Sequence, residues 1–150
     1  MPTVLVVYYS RTGNTRKLVE GFARGVRRVE GVDVAVRSVE EARVEDLLRA
    51  DAIVFASPSY FRLPAWPLKK FIDESIAVYE RLGGKIGGAL CTAASEIGAV
   101  KCVQALRDAL EEHGVAFIGE GLWCIEEPDE EALEKAAKYG EEIAGKLIKR

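Results

Sequence analysis

The sequence predicts an α/β protein, a three-layer α/β/α sandwich built on a five-stranded parallel sheet. Two observations predict it. Five β-rich apolar runs alternate with longer amphipathic stretches, the pattern of a parallel sheet covered on both faces. The chain of 150 residues contains no repeat, low-complexity tract or linker, so it is expected to form one domain over residues 1–150. Right-handed crossovers then distribute helices to the two faces of the sheet.

Val4 to Tyr9 reads as a buried strand. Leu18, Val19, Phe22, Ala23, Val26 and Val29 follow at helical spacing. Val32 to Val36 alternates as a second strand, Val44 to Arg49 suits a short helix, and Ala52 to Ala56 forms a third strand. Pro58, Pro64 and Pro67 punctuate a loop, after which Leu68, Phe71, Ile72 and Ile76 mark a helix ended by Gly83-Gly84. Ile86 to Cys91 is the fourth strand. Val100, Val103, Leu106 and Leu110 carry the next helix, closed near Gly114. Val115 to Ile118 opens a fifth strand that can continue past Gly119 and Gly121 to Trp123. Leu133, Ala136, Ala137, Ile143 and Leu147 line a last helix.

The composition narrows the function. A formal net charge of -3 gives no basic footprint for nucleic acid. Arg24, Arg27 and Arg28 are read as a solvated helix end, where cations suit the dipole. No apolar run approaches the roughly 20 residues of a membrane span. Cys91, Cys102 and Cys124 are widely spaced and His113 is the single histidine, which disfavours a zinc site. An odd cysteine count without a signal peptide fits reduced thiols in the cytoplasm. One Asn, one Gln and one Met beside abundant Glu, Lys and Arg suit a thermophile.

In parallel sheets, ligands bind beyond the carboxyl ends of the strands, where the winding reverses. The loops after strands one, three and four are the chain's unusual segments. Ser10-Arg11-Thr12-Gly13-Asn14-Thr15 opens the first helix, whose free N–H groups attract anions. Its hydroxyls and amide could hold a phosphate monoester without a lysine. Ordinary capping by Thr12 or Asn14, worth about 1 kcal/mol, is the competing reading. The loop lacks the lysine of a P-loop and the three glycines of a dinucleotide fingerprint. Ile97 and Asp108 stand where a cysteine-phosphatase loop starting at Cys91 or Cys102 would need arginine. Tyr8 and Tyr9 stand where a phospho-receiver domain would want acidic residues.

The first loop resembles the S/T-x-T-G-N-T phosphate loop of flavodoxin-like flavoproteins and matches it fully, and the resemblance extends over essentially the whole chain. It implies strand order 2-1-3-4-5 and one bound FMN. Ser10, Thr12, Asn14 and Thr15 would offer side-chain donors to the phosphate, and Arg11 and Gly13 backbone N–H groups. Ser57-Pro58-Ser59-Tyr60-Phe61 resembles the G-[ST]-P-x-[YF] flavin-ring loop of the quinone reductases in this group, with Ala56 replacing the glycine. Tyr60, Phe61 and Trp66 would frame ring and substrate, or pack on the next helix instead. Thr92-Ala93-Ala94-Ser95, with Gly98 beyond, resembles their third loop, whose backbone donors would stabilise negative charge on the reduced ring. A plain N-cap by Ser95 is the alternative there.

The resemblance implies an NAD(P)H-dependent oxidoreductase that reduces quinone-like acceptors by two-electron ping-pong hydride transfer, with the flavin and no side chain as catalyst. The alternative is an electron-transfer module serving a redox partner protein. Glu96-Ile97 replaces the Gln-His common in the quinone reductases, and their long insertion is absent. Assembly is left open, a homo-oligomer included. From Ser57 to Trp66 there is no glycine, so positive φ would cost about 1 kcal/mol or more per residue. The segment is therefore expected to resist the peptide flip that favours one-electron chemistry. The weak net charge also differs from the strongly acidic carriers.

Overall fold

A computed structural model describes residues 1–149. In chain order its elements are β1 (Thr3–Tyr8), α1 (Asn14–Arg27), β2 (Asp33–Ser38), α2 (Asp46–Arg49), β3 (Ala52–Tyr60), β4 (Leu63–Pro64), α3 (Trp66–Glu74), β5 (Ile86–Ala93), α4 (Glu96–Glu112), β6 (Ala116–Phe117), β7 (Leu122–Ile125) and α5 (Glu130–Ile148). The sheet runs β2-β1-β3-β5-β6, with β7 also on β5. All of these pairs are parallel, with Val6 beside both Val36 and Val54, and Val54 beside Gly88. With β6 and β7 counted as one interrupted strand, this is the expected order 2-1-3-4-5.

The interruption has a local cause. Gly119 and Gly121 adopt positive φ of 66° and 78°, which swings the chain off the edge of β5 before it returns. The Tyr139 hydroxyl donates to the Ile118 carbonyl at 2.7 Å and fixes the start of this excursion.

Alternation along β1 divides the core. Val4, Val6 and Tyr8 face the layer of α1 and α5, where Phe22, Val26, Tyr139 and Ile143 pack. Leu5 and Val7 face α2, α3 and α4, meeting Leu47, Leu68, Phe71 and Leu106. Burying each such large apolar side chain contributes about 1.5–3 kcal/mol. The α1–α5 layer is the tighter one: an added Cβ at Gly25 would lie 1.8 Å from the Ala137 carbonyl oxygen, and at Gly140 2.2 Å from that of Phe22.

Several boundaries differ from the sequence reading. Strands β3 and β5 continue past Ala56 and Cys91 to Tyr60 and Ala93. The short helix is a single turn, Asp46–Arg49. The helix after the prolines ends at Glu74 and tightens into a 3₁₀ turn over Ser75–Val78. There the Ser75 hydroxyl donates to the Ile72 carbonyl at 2.5 Å. No helix of the described residues is long and apolar enough to cross a membrane.

Candidate functional site

The three singled-out segments meet at the carboxyl edge of the sheet, and hydrogen bonds tie them together. The Tyr9 N–H donates to the Ala56 carbonyl at 3.1 Å, setting side by side the strand ends from which the first and second segments leave. The Thr15 and Thr92 hydroxyls bond each other at 2.8 Å, joining the first to the third. The Ser59 hydroxyl donates to the Gly98 carbonyl at 2.7 Å, joining the second to the third.

In the first loop, neither Thr12 nor Asn14 caps α1. The N-cap is Gly13 at φ 99°, with no side-chain cap bond. The N–H groups of Gly13 and Arg16 both point to the Ser10 hydroxyl oxygen at 3.2 Å. Two donors thus converge on one oxygen, the arrangement an oxyanion needs. Among the described residues the N–H groups of Arg11, Thr12, Asn14 and Thr15 have no hydrogen-bond partner. Arg11, Thr12 and Gly13 are exposed, whereas Thr15 is 1% exposed and its hydroxyl is committed to Thr92. On the β2 side of this loop lies a cavity of about 560 Å³, flanked by Glu40 and Glu41. The Glu41 carboxyl accepts from the Ser38 N–H, which holds it below its ordinary range and keeps it charged. Arg16 lines the same cavity, so its rim carries both signs of charge.

The second segment is a β-hairpin rather than a loop. Ser59 and Tyr60 of β3 pair antiparallel with Pro64 and Leu63 of β4. The buried Ser57 hydroxyl locks its base, donating to the Pro58 carbonyl at 2.7 Å and accepting from the Ala65 N–H at 2.9 Å. The tip is a two-residue turn with Phe61 at φ 53° and Arg62 at φ 67°. Positive φ at both central residues is the hairpin geometry that matches strand twist. The hairpin therefore already carries, without glycine, the strain that was expected to keep positive φ out. Tyr60 is partly exposed, Trp66 is 75% exposed and Phe61 is 99% exposed. Trp66 and Phe61 are thus not packed away into the following helix.

The third segment is mostly the end of β5 and the start of α4. Thr92 is buried, Ala93 half-buried, and Ala94 and Ser95 exposed. Ser95 is a true N-cap, accepting from the Gly98 N–H at 3.2 Å. The N–H groups of Ala94 and Ser95 have no partner among the described residues. A fourth segment, after β7, escaped the sequence reading: the Glu126 N–H donates to the Ala93 carbonyl at 2.9 Å, and Glu127 pairs with Lys17 of α1 at 2.9 Å. Its one sequence signal is its place after the last strand. Tyr9 was also missed. It lines the cavity beside Glu40 and Glu41, and a second of about 820 Å³ shared with Trp66, Pro67 and Phe71.

Neither Cys91 nor Cys124 is an activated thiol. Burial, then contact with Cys102, pushes the Cys91 thiol well up, and burial raises Cys124 to about 11.

An anion seat of neutral donors, free backbone N–H groups beside it and an aromatic hairpin together fit a phosphorylated flat heterocycle. A parallel sheet in this order with such a crest defines a flavodoxin-like protein. The sequence profile of the family described as NADPH-dependent FMN reductase matches residues 38–129. A flavodoxin of Aquifex aeolicus is 42% identical over 98 residues, 65% of this chain and 51% of the relative, so the match spans about half the relative's length. An NAD(P)H dehydrogenase (quinone) of Solidesulfovibrio magneticus is 28% identical over 77% of this chain and 70% of its own. The solved structure of a flavodoxin from the domain Archaea superposes with a TM-score of 0.88 at 26% identity, covering 97% of this chain and 99% of that one. The chain belongs to the flavodoxin-like flavoproteins, in the family of that matching profile.

Proposed function

We propose that the chain binds one FMN at this crest and acts as an NAD(P)H-dependent oxidoreductase for quinone-like acceptors, by two-electron ping-pong transfer. The observation that carries the reading is the start of α1, where the N–H groups of Arg11, Thr12, Asn14 and Thr15 are unbonded among the described residues and the Thr15 hydroxyl ties the loop to the third segment, itself tied to the second. Neutral donors suffice for a doubly charged ester at a helix start, because the dipole supplies partial positive charge.

In this reading Ser10, Thr12 and Asn14 donate side-chain hydrogens to the phosphate. Arg11 and Thr15 contribute free backbone N–H groups, Gly13 contributes one that must first leave the Ser10 hydroxyl, and Thr15 also fixes Thr92 under the ring. Ser57 and Pro58 set the hairpin's base, while Ser59, Tyr60 and Phe61 present backbone and aromatic faces to the ring. Ala93, Ala94, Ser95 and Gly98 form the opposite wall, where free N–H groups favour developing negative charge. The flavin supplies hydride acceptance and release when bound. Tyr60, Phe61 and Trp66 give a planar apolar acceptor a surface to lie on and displace water from it. Three free cysteines suit a reducing cytoplasm.

Titration of the purified protein with FMN, followed by flavin fluorescence, tests the binding; unchanged fluorescence at saturating protein rejects it. Steady-state assays with NADH and NADPH against a soluble quinone test the activity, and absence of turnover with both donors rejects the reductase role. A second reading, electron transfer to a partner protein, is favoured by the solvent-facing Phe61 at the hairpin tip. It predicts abundant one-electron-reduced flavin on photoreduction, whereas the reductase reading predicts little.

A further inference from the structure

The two edges of the sheet are unlike. The edge beside β5 is broken into β6 and β7 by the excursion at Gly119 and Gly121. The edge at β2 is whole. It lies in unbroken parallel register with β1, from Asp33 beside Thr3 to Ser38 beside Tyr8, and among the described residues no strand pairs with its far side. Open sheets ordinarily blunt such an edge with bulges, short strands, proline or lysine, because an exposed ladder invites a further strand. Asp33-Val34-Ala35-Val36-Arg37-Ser38 contains no proline, glycine or lysine. Its main neighbours are β1 and α1, and Val34, Ala35 and Val36 are only half-buried.

The ladder to β1 fixes which backbone groups face outward. The Asp33 and Val39 N–H groups donate to the Pro2 and Tyr8 carbonyls at 2.9 Å, so the odd-numbered positions turn towards β1. Successive residues alternate, so Val34 and Val36 turn their N–H and C=O groups outward. Ser38 also turns outward but is closed: its N–H donates to the Glu41 carboxylate at 2.9 Å, and its carbonyl accepts from the Glu41 and Ala42 N–H groups. The open stretch is therefore centred on Ala35. Asp33, Ala35 and Arg37 share the sheet face of Leu5 and Val7. Asp33 and Arg37 are exposed and oppositely charged, and among the described residues neither is in an ion pair. The Arg37 guanidinium instead donates to the Val36 carbonyl at 3.0 Å, a neutral acceptor on the open edge. Glu41 lies near enough to feel its charge but does not pair with it.

We propose that β2 pairs antiparallel with β2 of a second copy, across a two-fold axis at Ala35, so that one sheet runs through both chains. In that register Val34 faces Val36 of the other copy, and each such pair exchanges both of its hydrogen bonds. Asp33 faces Arg37 of the other copy, and the two-fold axis repeats every contact. Opposite charges directly across a strand pair favour it, and like charges oppose it. Slipping to the next outward pair in either direction sets Ala35 opposite Asp33 or opposite Arg37 and loses the ion pairs, so charge selects the register. An unrelated extended peptide would need no such mirrored charge about Ala35; a second copy does. The contact uses no residue of the flavin or acceptor surface, and the inference does not rest on flavin binding.

Sedimentation velocity over a wide range of protein concentration gives the first test, with a dimer expected. Asp33→Arg and Arg37→Asp each set like charges across the axis and are expected to weaken the dimer roughly tenfold or more. Both residues are exposed, so the far-UV spectrum should not change. The two substitutions together exchange the charges and are expected to restore the dimer, which a loss of folding could not do. The second test is Ala35→Cys. Opposed residues of this kind lie about 4.5 Å apart at Cα, within the roughly 4.4–6.8 Å span of a disulfide. Mild oxidation is expected to link the two copies, because the three native cysteines are buried. Asp33→Cys would sit about 13 Å from its own counterpart and should not link. A chain that is monomeric at every concentration overturns the proposal and leaves the edge to a different partner. A dimer indifferent to the single charge reversals, a charge exchange that does not restore it, or linkage at position 33 as ready as at position 35 overturns it equally.

Discussion

At its first residue α1 is preceded by Gly13, which caps nothing with a side chain, and the N–H groups of Asn14 and Thr15 point to no acceptor among the described residues. At the other end the Arg28 N–H returns to the Gly25 carbonyl at 3.1 Å and that of Val29 to Val26 at 3.0 Å. The Arg28 guanidinium reaches both Glu134 and Glu141 of α5, and Gly25 lies against the Ala137 backbone. One helix thus has an end left largely open, where only the Ser10 hydroxyl reaches in to accept from Arg16, and an end closed on α5. The closed end keeps the open one in place, because α1 cannot slide along α5 while the two backbones touch.

The largest expected effect comes from adding one methyl at the closed end. Gly25→Ala puts a carbon 1.8 Å from a backbone oxygen that no side-chain rotation can relieve, so the helices must separate. A loss of about 3 kcal/mol or more is expected in urea unfolding. The same change at Gly13 meets nothing within 4 Å and costs about 1 kcal/mol through its φ of 99°, while weakening FMN binding. If Gly25→Ala were no worse than Gly13→Ala, the contrast between the ends would be lost.

Next in size is the tie beneath the open end. Thr15→Val leaves the buried Thr92 hydroxyl without its partner, an expected cost of about 1–3 kcal/mol. Replacing both threonines by valine removes the unsatisfied group as well, so the double variant should be less destabilised than the two single losses added together. Strictly additive losses would mean that the hydroxyl pair does not couple the loops.

The layers and the crest were legible in the sequence, because each strand is a short apolar run and the special loops follow strands one, three and four; the strand order was implied only by the resemblance of those loops. Less legible were features set by contacts between distant residues. Nothing in Ser57 to Trp66 announces a hairpin: turn chemistry would ask for Asn-Gly, and the chain uses Phe61-Arg62. The hydroxyl of Thr15, taken for an outward donor, is held inward by Thr92, a partner 77 positions away. Ser95 does serve as an N-cap, so its hydroxyl has a structural use whatever binds above it. The segment after β7 lacks any composition signal, since Glu126 and Glu127 matter only through the neighbours that the fold gives them.

Helix α4 shows a similar contrast at its closed end, and there it is sensitive to pH. Ser75 gives its one hydroxyl hydrogen to Ile72, so at 2.8 Å it accepts from the Nε2–H of His113. The buried Nδ1 then carries the lone pair and has no partner among the described residues. Burial holds the imidazole below its ordinary value of 6.5, with Glu112 opposing; the Tyr79 ring is the other neighbour. A folded value below the unfolded one means that the stabilisation is complete above 6.5 and is lost as the pH falls through the folded value. Unfolding free energy measured against pH should decline there, and His113→Gln should flatten that part of the profile. An unchanged slope would show that His113 charges as freely in the fold as in the unfolded chain.

The smallest effect is expected at the ion pairs of the closed end. Hydrogen bonds to Glu134 and Glu141 raise the Arg28 guanidinium, and Arg28 holds Glu134 below the usual carboxylate range in turn. They are nonetheless well exposed, and water and salt screen such pairs. Arg28→Ala should therefore lower the melting temperature slightly at low salt and by less at high salt, with FMN affinity unaltered. The two helices remain locked by the glycine contacts, which need no charge. A large, salt-independent loss would instead mean that Arg28 acts through its packing on α5, and that the closed end depends on a side chain as well as on the meeting of two backbones.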